Sequence, residues 1–200
     1  MDDDQIPHSP DFDELDRLAP NKAGRRNLLF ALIGNINYSW SNNESTFIYI
    51  LQHLMETDEL TATLVFGTLN TTRARVDLIE RLADAKLKDD TLKKKLRRIL
   101  RIFNESTRLR NEFSHATFRQ NQQGEITHTH SMRIQRKNGQ IQLGEIKALD
   151  DARIAQMGKA IEKLVKLNRE IWAFIPELQH TMSQAADKPQ HQGSPQLQPS

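Results

Sequence analysis

The hexapeptide Arg110-Asn111-Glu112-Phe113-Ser114-His115 separates an arginine from a histidine by four residues and puts an asparagine directly after the arginine. Arginine is a permanently charged planar fork suited to a phosphate. An imidazole gives or takes a proton near neutral pH, so it serves as general acid or general base. On a helix, five residues turn through about 500°, which leaves Arg110 and His115 roughly 140° apart. Asn111 and His115 are one turn apart and share a face, so the amide can orient the ring. One helix does not readily aim both charged groups at a single phosphate. Two copies related by a two-fold axis do so better, with Arg110 and His115 of each lining one cleft.

The hexapeptide resembles the R-x4-6-H signature of the HEPN superfamily in its R-N-x3-H form. Its place is similar too, near the end of a helix that precedes the connection to the last helix. At the level of architecture the resemblance spans roughly residues 22–180; at the level of motif it covers these few positions. It implies a metal-independent endoribonuclease with a composite site at a homodimer interface, cleaving RNA by attack of the adjacent 2′-OH on phosphorus. His115 is then the acid or base, and Arg110 stabilises charge on the phosphoryl oxygens. Asn111 positions His115, and Ser114 donates to phosphate. The resemblance also implies a toxin or phage-defence effector with an antitoxin or other protein partner. No cofactor is expected. Members of such a superfamily also bind nucleotide or scaffold proteins without cutting anything, so a non-catalytic nucleotide- or protein-binding module is the alternative.

Four stretches of helical periodicity are available to position these groups. Leu29, Leu32, Ile33, Ile36, Trp40, Phe47, Ile50, Leu51 and Leu54 form one stripe, which predicts a single helix over 22–55. A second helix is predicted over 59–83 with Leu60, Leu64, Leu78, Ile79 and Leu82 inward. A third is capped by Asp90, with Leu92, Leu96, Ile99, Leu100 and Phe103 inward. A fourth starts at Asp150 or Asp151, carries Ile154, Met157, Ile161, Leu164, Ile171 and Ile175, and kinks or ends at Pro176. Between the last two, loose alternation flanks Lys137-Asn138-Gly139-Gln140, a hairpin signal. The expected fold is mainly all-α: a four-helix bundle with a short β-hairpin inserted before the last helix.

Each stripe turns polar on its inward side. Asn43 and Glu44 interrupt the first, Thr68, Thr71 and Arg75 the second, Ser106, Thr107, Arg110 and Ser114 the third, and Asn168 the fourth. An unpaired buried arginine costs several kcal/mol. Such a layer therefore forms an internal network, with Glu44 paired to Arg75 or Arg110, or lines a cleft or symmetric interface.

Composition bounds the rest. The 200 residues include 28 Lys and Arg, 26 Asp and Glu, and no cysteine. Disulfides, thiolate metal sites and cysteine catalysis are excluded. No apolar run suffices to span a membrane, and the acidic start lacks a secretory core, so the cytoplasm is the expected address. His128 and His130 supply at most half a metal site with no third ligand nearby, so no metal is expected. Gly34, Gly67 and Gly158 build no phosphate loop. Residues 1–20 are expected to be a disordered acidic tail, 21–184 the helical domain, and 185–200 a second disordered tail.

The net charge of +2 is unevenly distributed: residues 1–16 hold seven acids and no base, and residues 86–119 hold eleven bases against four acids. Lys93, Lys94, Lys95, Arg97, Arg98, Arg101 and Arg108 share the helix of the motif, and are expected to hold an RNA strand by its phosphates. The acidic tail then competes as an internal polyanion. Deleting residues 1–16 is expected to raise RNA affinity, most of all at low salt. A titration at low ionic strength giving the same affinity with and without the tail would reject that competition.

Overall fold

A computed structural model describes residues 25–122, 125–131, 134–137 and 139–186. The expected tail 1–20 and residues 187–200 of the second lie outside the described residues, whereas Ala185 and Ala186, expected to belong to that tail, are the last residues of the final helix. Helix α1 (Arg25–Met55) is continuous through its Ser- and Asn-rich middle. Leu29, Ile36, Trp40, Phe47, Ile50, Leu51 and Leu54 are all buried on it, as the stripe predicts. The polar middle is tolerated because its side chains are satisfied internally. The buried Asn43 amide donates to the carbonyls of Ser39 (2.9 Å) and Leu164 (3.0 Å), and Asn168 donates to Asn43 Oδ1 at 3.1 Å. Here the polar layer is an internal network joining the first and last helices.

The single helix expected over 59–83 is two. Helix α2 (Glu59–Thr68) ends at Leu69, and α3 (Thr72–Lys86) restarts after Thr71, whose hydroxyl accepts from the Ala74 amide at 3.1 Å. Asn70, Thr71 and Thr72 are poor helix formers, and threonine is a good N-cap. Arg75 reaches back from α3, its Nε donating to the carbonyls of Phe66 (3.2 Å) and Leu69 (3.0 Å), which closes the open end of α2. The break resets the phase. Leu60 and Leu64, expected inward, are exposed, and Ala62 and Phe66 are the buried residues of α2. Thr68 and Thr71 are exposed for the same reason.

Helix α4 (Asp90–Ser114) is capped by Asp89, not Asp90: the Asp89 carboxylate accepts from the amides of Thr91 and Leu92. Leu92, Leu96, Ile99, Leu100 and Phe103 are buried on it as expected. Helix α5 (Asp151–Ala186) runs through Pro176 and does not end there. A proline inside a helix costs about 3 kcal/mol. Burying Leu178 and Met182 beyond it returns about 1.5–3 kcal/mol each, enough to carry the helix on.

The hairpin is present, within a larger β-element. Strands β3 (Ile134–Lys137) and β4 (Gln140–Leu143) pair antiparallel around the turn, with Lys137 opposite Gln140. Strands β2 (Ile126–Ser131) and β5 (Ile146–Ala148) extend the two arms, and β1 (Ala116–Gln120) adds a third strand in the order β1-β2-β5. Ile134 pairs with Leu143, and the Ser131 amide bonds the Glu145 carbonyl at 3.0 Å. Between Leu143 and Glu145, Gly144 has φ +64°, and a Cβ on it would lie 1.7 Å from the Ser131 oxygen. Only glycine fits so close an approach. A second apolar cluster of Leu29, Ile36, Phe113, Ile126, Leu149 and Met157 seats the sheet on one end of α1, α4 and α5. Among the described residues, no helix is long and apolar enough to cross a membrane.

Truncating Asn43 leaves the Asn168 amide buried without its acceptor, a loss of about 1–3 kcal/mol. Asn43→Ala is therefore expected to lower the urea midpoint by a matching amount without changing the slope. An unchanged midpoint would mean that the pair contributes nothing to holding α1 on α5.

Candidate active site at the end of the motif helix

The motif occupies the last turn of α4, and His115 is the residue that ends it. Its amide donates to the Asn111 carbonyl at 3.1 Å and its backbone (φ −119°, ψ 18°) turns the chain directly into β1. Arg110 and His115 leave the helix on different sides, as their angular separation requires. The Arg110 guanidinium lies 4.2 Å from the centre of the Trp40 ring, and its Nε donates to Asn37 Oδ1 at 3.1 Å. Trp40 is itself fixed, stacked on Phe103 at 5.4 Å and donating its indole N–H to Thr107 Oγ1 at 2.8 Å. Ser114 donates to the same Asn37 oxygen at 3.0 Å. Arg110 also donates through a terminal nitrogen to Asn111 Oδ1 at 3.0 Å. The arginine is half-buried and rigid, with one terminal nitrogen uncommitted among the described residues.

His115 is exposed at a polar pocket of about 230 Å³ between the end of α4 and the sheet. Arg108, Asn111 and Glu112 line it from the helix, Ser131 from β2, Lys147 from β5 and Glu145 from the residue just before β5. Asn111 thus shares the pocket with His115. Its carboxamide oxygen is engaged by Arg110, and among the described residues no hydrogen bond joins it to the imidazole.

Glu112, inside the motif but given no role by sequence, holds the site together. Arg153 of α5 donates to its Oε1, and Lys147 of β5 lies 3.1 Å from the same oxygen. Arg153 is almost fully buried, packs 5.0 Å from the Phe113 ring and also bonds Gln156. Burial works against the ionised Glu112 carboxylate. The hydrogen bonds and charges of Arg153 and Lys147 outweigh it and hold the pKa below the ordinary glutamate value.

The remaining expected residues fall elsewhere. Glu44 accepts from Thr72 at 2.6 Å and pairs with Arg75 at 3.1 Å, and Arg75 lies 4.4 Å from the Phe66 ring. Glu44 and Arg75 lock the α2–α3 corner onto α1, and among the described residues neither bonds Arg110 or His115. Along the basic face of α4, Lys95 pairs with Glu177, Arg97 with Asp84, Arg98 with both oxygens of Glu170, and Arg101 with Glu105. Lys93 donates to the Asp84 carbonyl at 3.3 Å. Among the described residues Lys94 and Arg108 have no such carboxylate, and of the seven only Arg108 lines the pocket. His128 and His130 sit half-buried on β2, and no three His, Asp or Glu among the described residues gather as metal ligands.

Of the two residues that hold Arg110, Trp40 is visible in the sequence only as part of a stripe and Asn37 carries no signal. Ser131, Glu145 and Lys147 have no local signal, because antiparallel pairing of β2 with β5 is what brings them to the end of α4. The fold and site together define a helical bundle with a polar helix–sheet pocket beside a fixed arginine. No family model, curated protein or solved structure matches the chain.

A carboxylate whose pKa is lowered on folding stabilises the fold above its unfolded pKa, and that stabilisation is lost as pH falls through the folded one. For Glu112 the loss begins below about pH 4.3. Urea midpoints measured over pH 3–6 are expected to fall on the acid side, and Glu112→Gln to make that fall shallower. An acid limb of the same slope in the variant would show that Glu112 is not held by Arg153 and Lys147 in solution.

Proposed function

We propose that the chain is a metal-independent endoribonuclease of HEPN-like type, acting at a composite site to which two copies each contribute Arg110 and His115. The observation that carries this reading is the state of the imidazole. His115 is exposed at a polar pocket beside Arg108 and Asn111, with no hydrogen bond to its ring among the described residues. It is therefore available to move a proton. In the proposed reaction the ribose 2′-OH attacks the adjacent phosphorus as one His115 removes its proton. The P–O5′ bond breaks and a second His115 protonates the departing oxygen, leaving a 2′,3′-cyclic phosphate and a 5′-OH. Arg110, pre-oriented by Trp40 and Asn37, offers its uncommitted nitrogen to the phosphoryl oxygens. Asn111 accepts the His115 amide and so positions the helix end, and Ser114, on Asn37 beside Arg110, could donate to the phosphate. Such an enzyme fits a toxin or phage-defence effector restrained by an antitoxin partner.

A non-catalytic module that binds nucleotide or a protein partner is the second reading. It is favoured by the divergence of Arg110 and His115 within one chain, which leaves a single copy without a complete site. Expression of wild type beside His115→Ala separates the two. The nuclease reading expects RNA cut with 5′-OH ends by wild type only, a loss of at least about 100-fold in the variant, and two-fold mass for both proteins by analytical centrifugation. A clean monomer at high micromolar concentration, or RNA left intact by wild type, favours the binding module.

A further inference from the structure

The pocket beside His115 has two chemically different sides. Arg108 and His115 present donors or positive charge. Opposite them stand Glu145, just before β5, and Lys147 within it, while Ile146 between them is exposed. The Glu112 carboxylate is committed to Arg153 and Lys147. Glu145 is not: its nearest cation, Lys147, lies 3.5 Å away and is shared with Glu112, and 61% of its side chain is exposed. Its backbone, by contrast, is fixed. The Glu145 carbonyl accepts from Ser131 at 3.0 Å, and Gly144 before it has no room for a side chain. The result is an exposed carboxylate, paired only loosely with Lys147, on a fixed backbone across about 230 Å³ from the Arg108 guanidinium and the His115 imidazole. That space is below the roughly 300–1,000 Å³ of a small-molecule site. It suits one base, with its phosphate at the mouth.

We infer that Glu145 reads the base, and that the base is guanine. A carboxylate only accepts hydrogen bonds, and it accepts two side by side. Among the RNA bases, guanine alone carries two adjacent donors, N1–H and the N2 amine, on its Watson–Crick edge. Adenine and cytosine set a ring acceptor beside their amine, and uracil flanks its single N–H with two carbonyls. Each of those would turn an acceptor toward the carboxylate. The lining has no Phe, Tyr or Trp on which a base could stack without preference, so selection falls to edge hydrogen bonds. Glu145 is thus a specificity residue, Arg108 and His115 hold the attached phosphate, and the inference rests on the pocket being the nucleotide site of the reading above.

Mononucleotide binding tests this without requiring cleavage. The full chain is titrated with GMP, IMP, AMP and UMP at one ionic strength, followed by calorimetry or by the His115 ring signals in NMR. GMP is expected to bind about tenfold or more tightly than AMP or UMP. IMP, which keeps N1–H but lacks the 2-amine, is expected between them. Glu145→Gln, an exposed and nearly isosteric change, is expected to bring GMP down to the level of AMP. Equal affinities in wild type, a GMP preference that survives Glu145→Gln, or no binding at millimolar concentration would each overturn the inference. Mapping of RNA ends keeps the two proposals apart. Cuts without guanine bias sink this inference and leave the nuclease standing. Intact RNA together with a Glu145-dependent GMP preference sinks the nuclease and leaves the inference standing.

Discussion

The Glu112 carboxylate is the constraint on which the site depends. A helix that carries its functional residues in the last turn places them where backbone carbonyls lack partners and fraying begins. Here the last turn is tied down from the side. Arg153 brings α5 to Glu112, Lys147 brings β5, and Phe113 beside it is buried in the cluster that seats the sheet. A half-buried charge is costly alone and favourable only when fully paired, so the three elements must arrive together. The pocket beside His115 is the space left between them. It exists because a carboxylate inside the motif requires cations from two other elements.

The same turn explains why one copy of the chain looks incomplete. Arg110 is drawn toward α1 by the Trp40 face and the Asn37 oxygen, while His115 turns away into β1. Cation–π contact with a buried tryptophan and a charge-assisted hydrogen bond are each worth on the order of 1–2 kcal/mol. Reorienting the arginine toward its own histidine would sacrifice both. In the two-copy site proposed above, a two-fold axis would bring an arginine held against α1 and an exposed imidazole of the other copy together without either having to move.

Much of this was legible in the sequence, for a physical reason that also marks where legibility stops. The stripes of α1, α4 and α5 are long, and burial of Phe47, Phe103 or Leu164 reports the same periodicity that the sequence carries. Asn-Gly gave the hairpin turn because few residues accept a positive φ, and Gly139 has φ +76°. The break between α2 and α3 was missed because apolar residues flank it. Leu60 and Leu64 continue a helical pattern that Thr71 capping interrupts, and only the cap chemistry at Asn70-Thr71-Thr72 signals it. Arg110, Asn111 and His115 were readable as a motif. Glu145 and Lys147 were not, since what brings them to the motif is strand pairing with β2 and the contact of Lys147 with Glu112, thirty-five residues away in the chain.

The basic run on α4 shows how a local charge excess differs from a surface potential. Eleven bases against four acids over 86–119 is a real excess along the chain. In space, α4 lies antiparallel to α5, and acids from beyond that window meet it in order: Glu177 opposite Lys95, then Glu170 opposite Arg98. Farther along the signs reverse, with Lys163 of α5 meeting Glu105 and Arg153 meeting Glu112. Asp84 of α3 takes Arg97. The exposed pairs add little stability individually, but they consume the field that a polyanion would feel. Among the described residues Lys94 and Arg108 have no carboxylate partner, and of the two only Arg108 opens into the pocket. If the chain binds RNA as proposed, a strand held mainly by diffuse charge would bind anywhere along α4, whereas a strand held at Arg108 would be brought to His115.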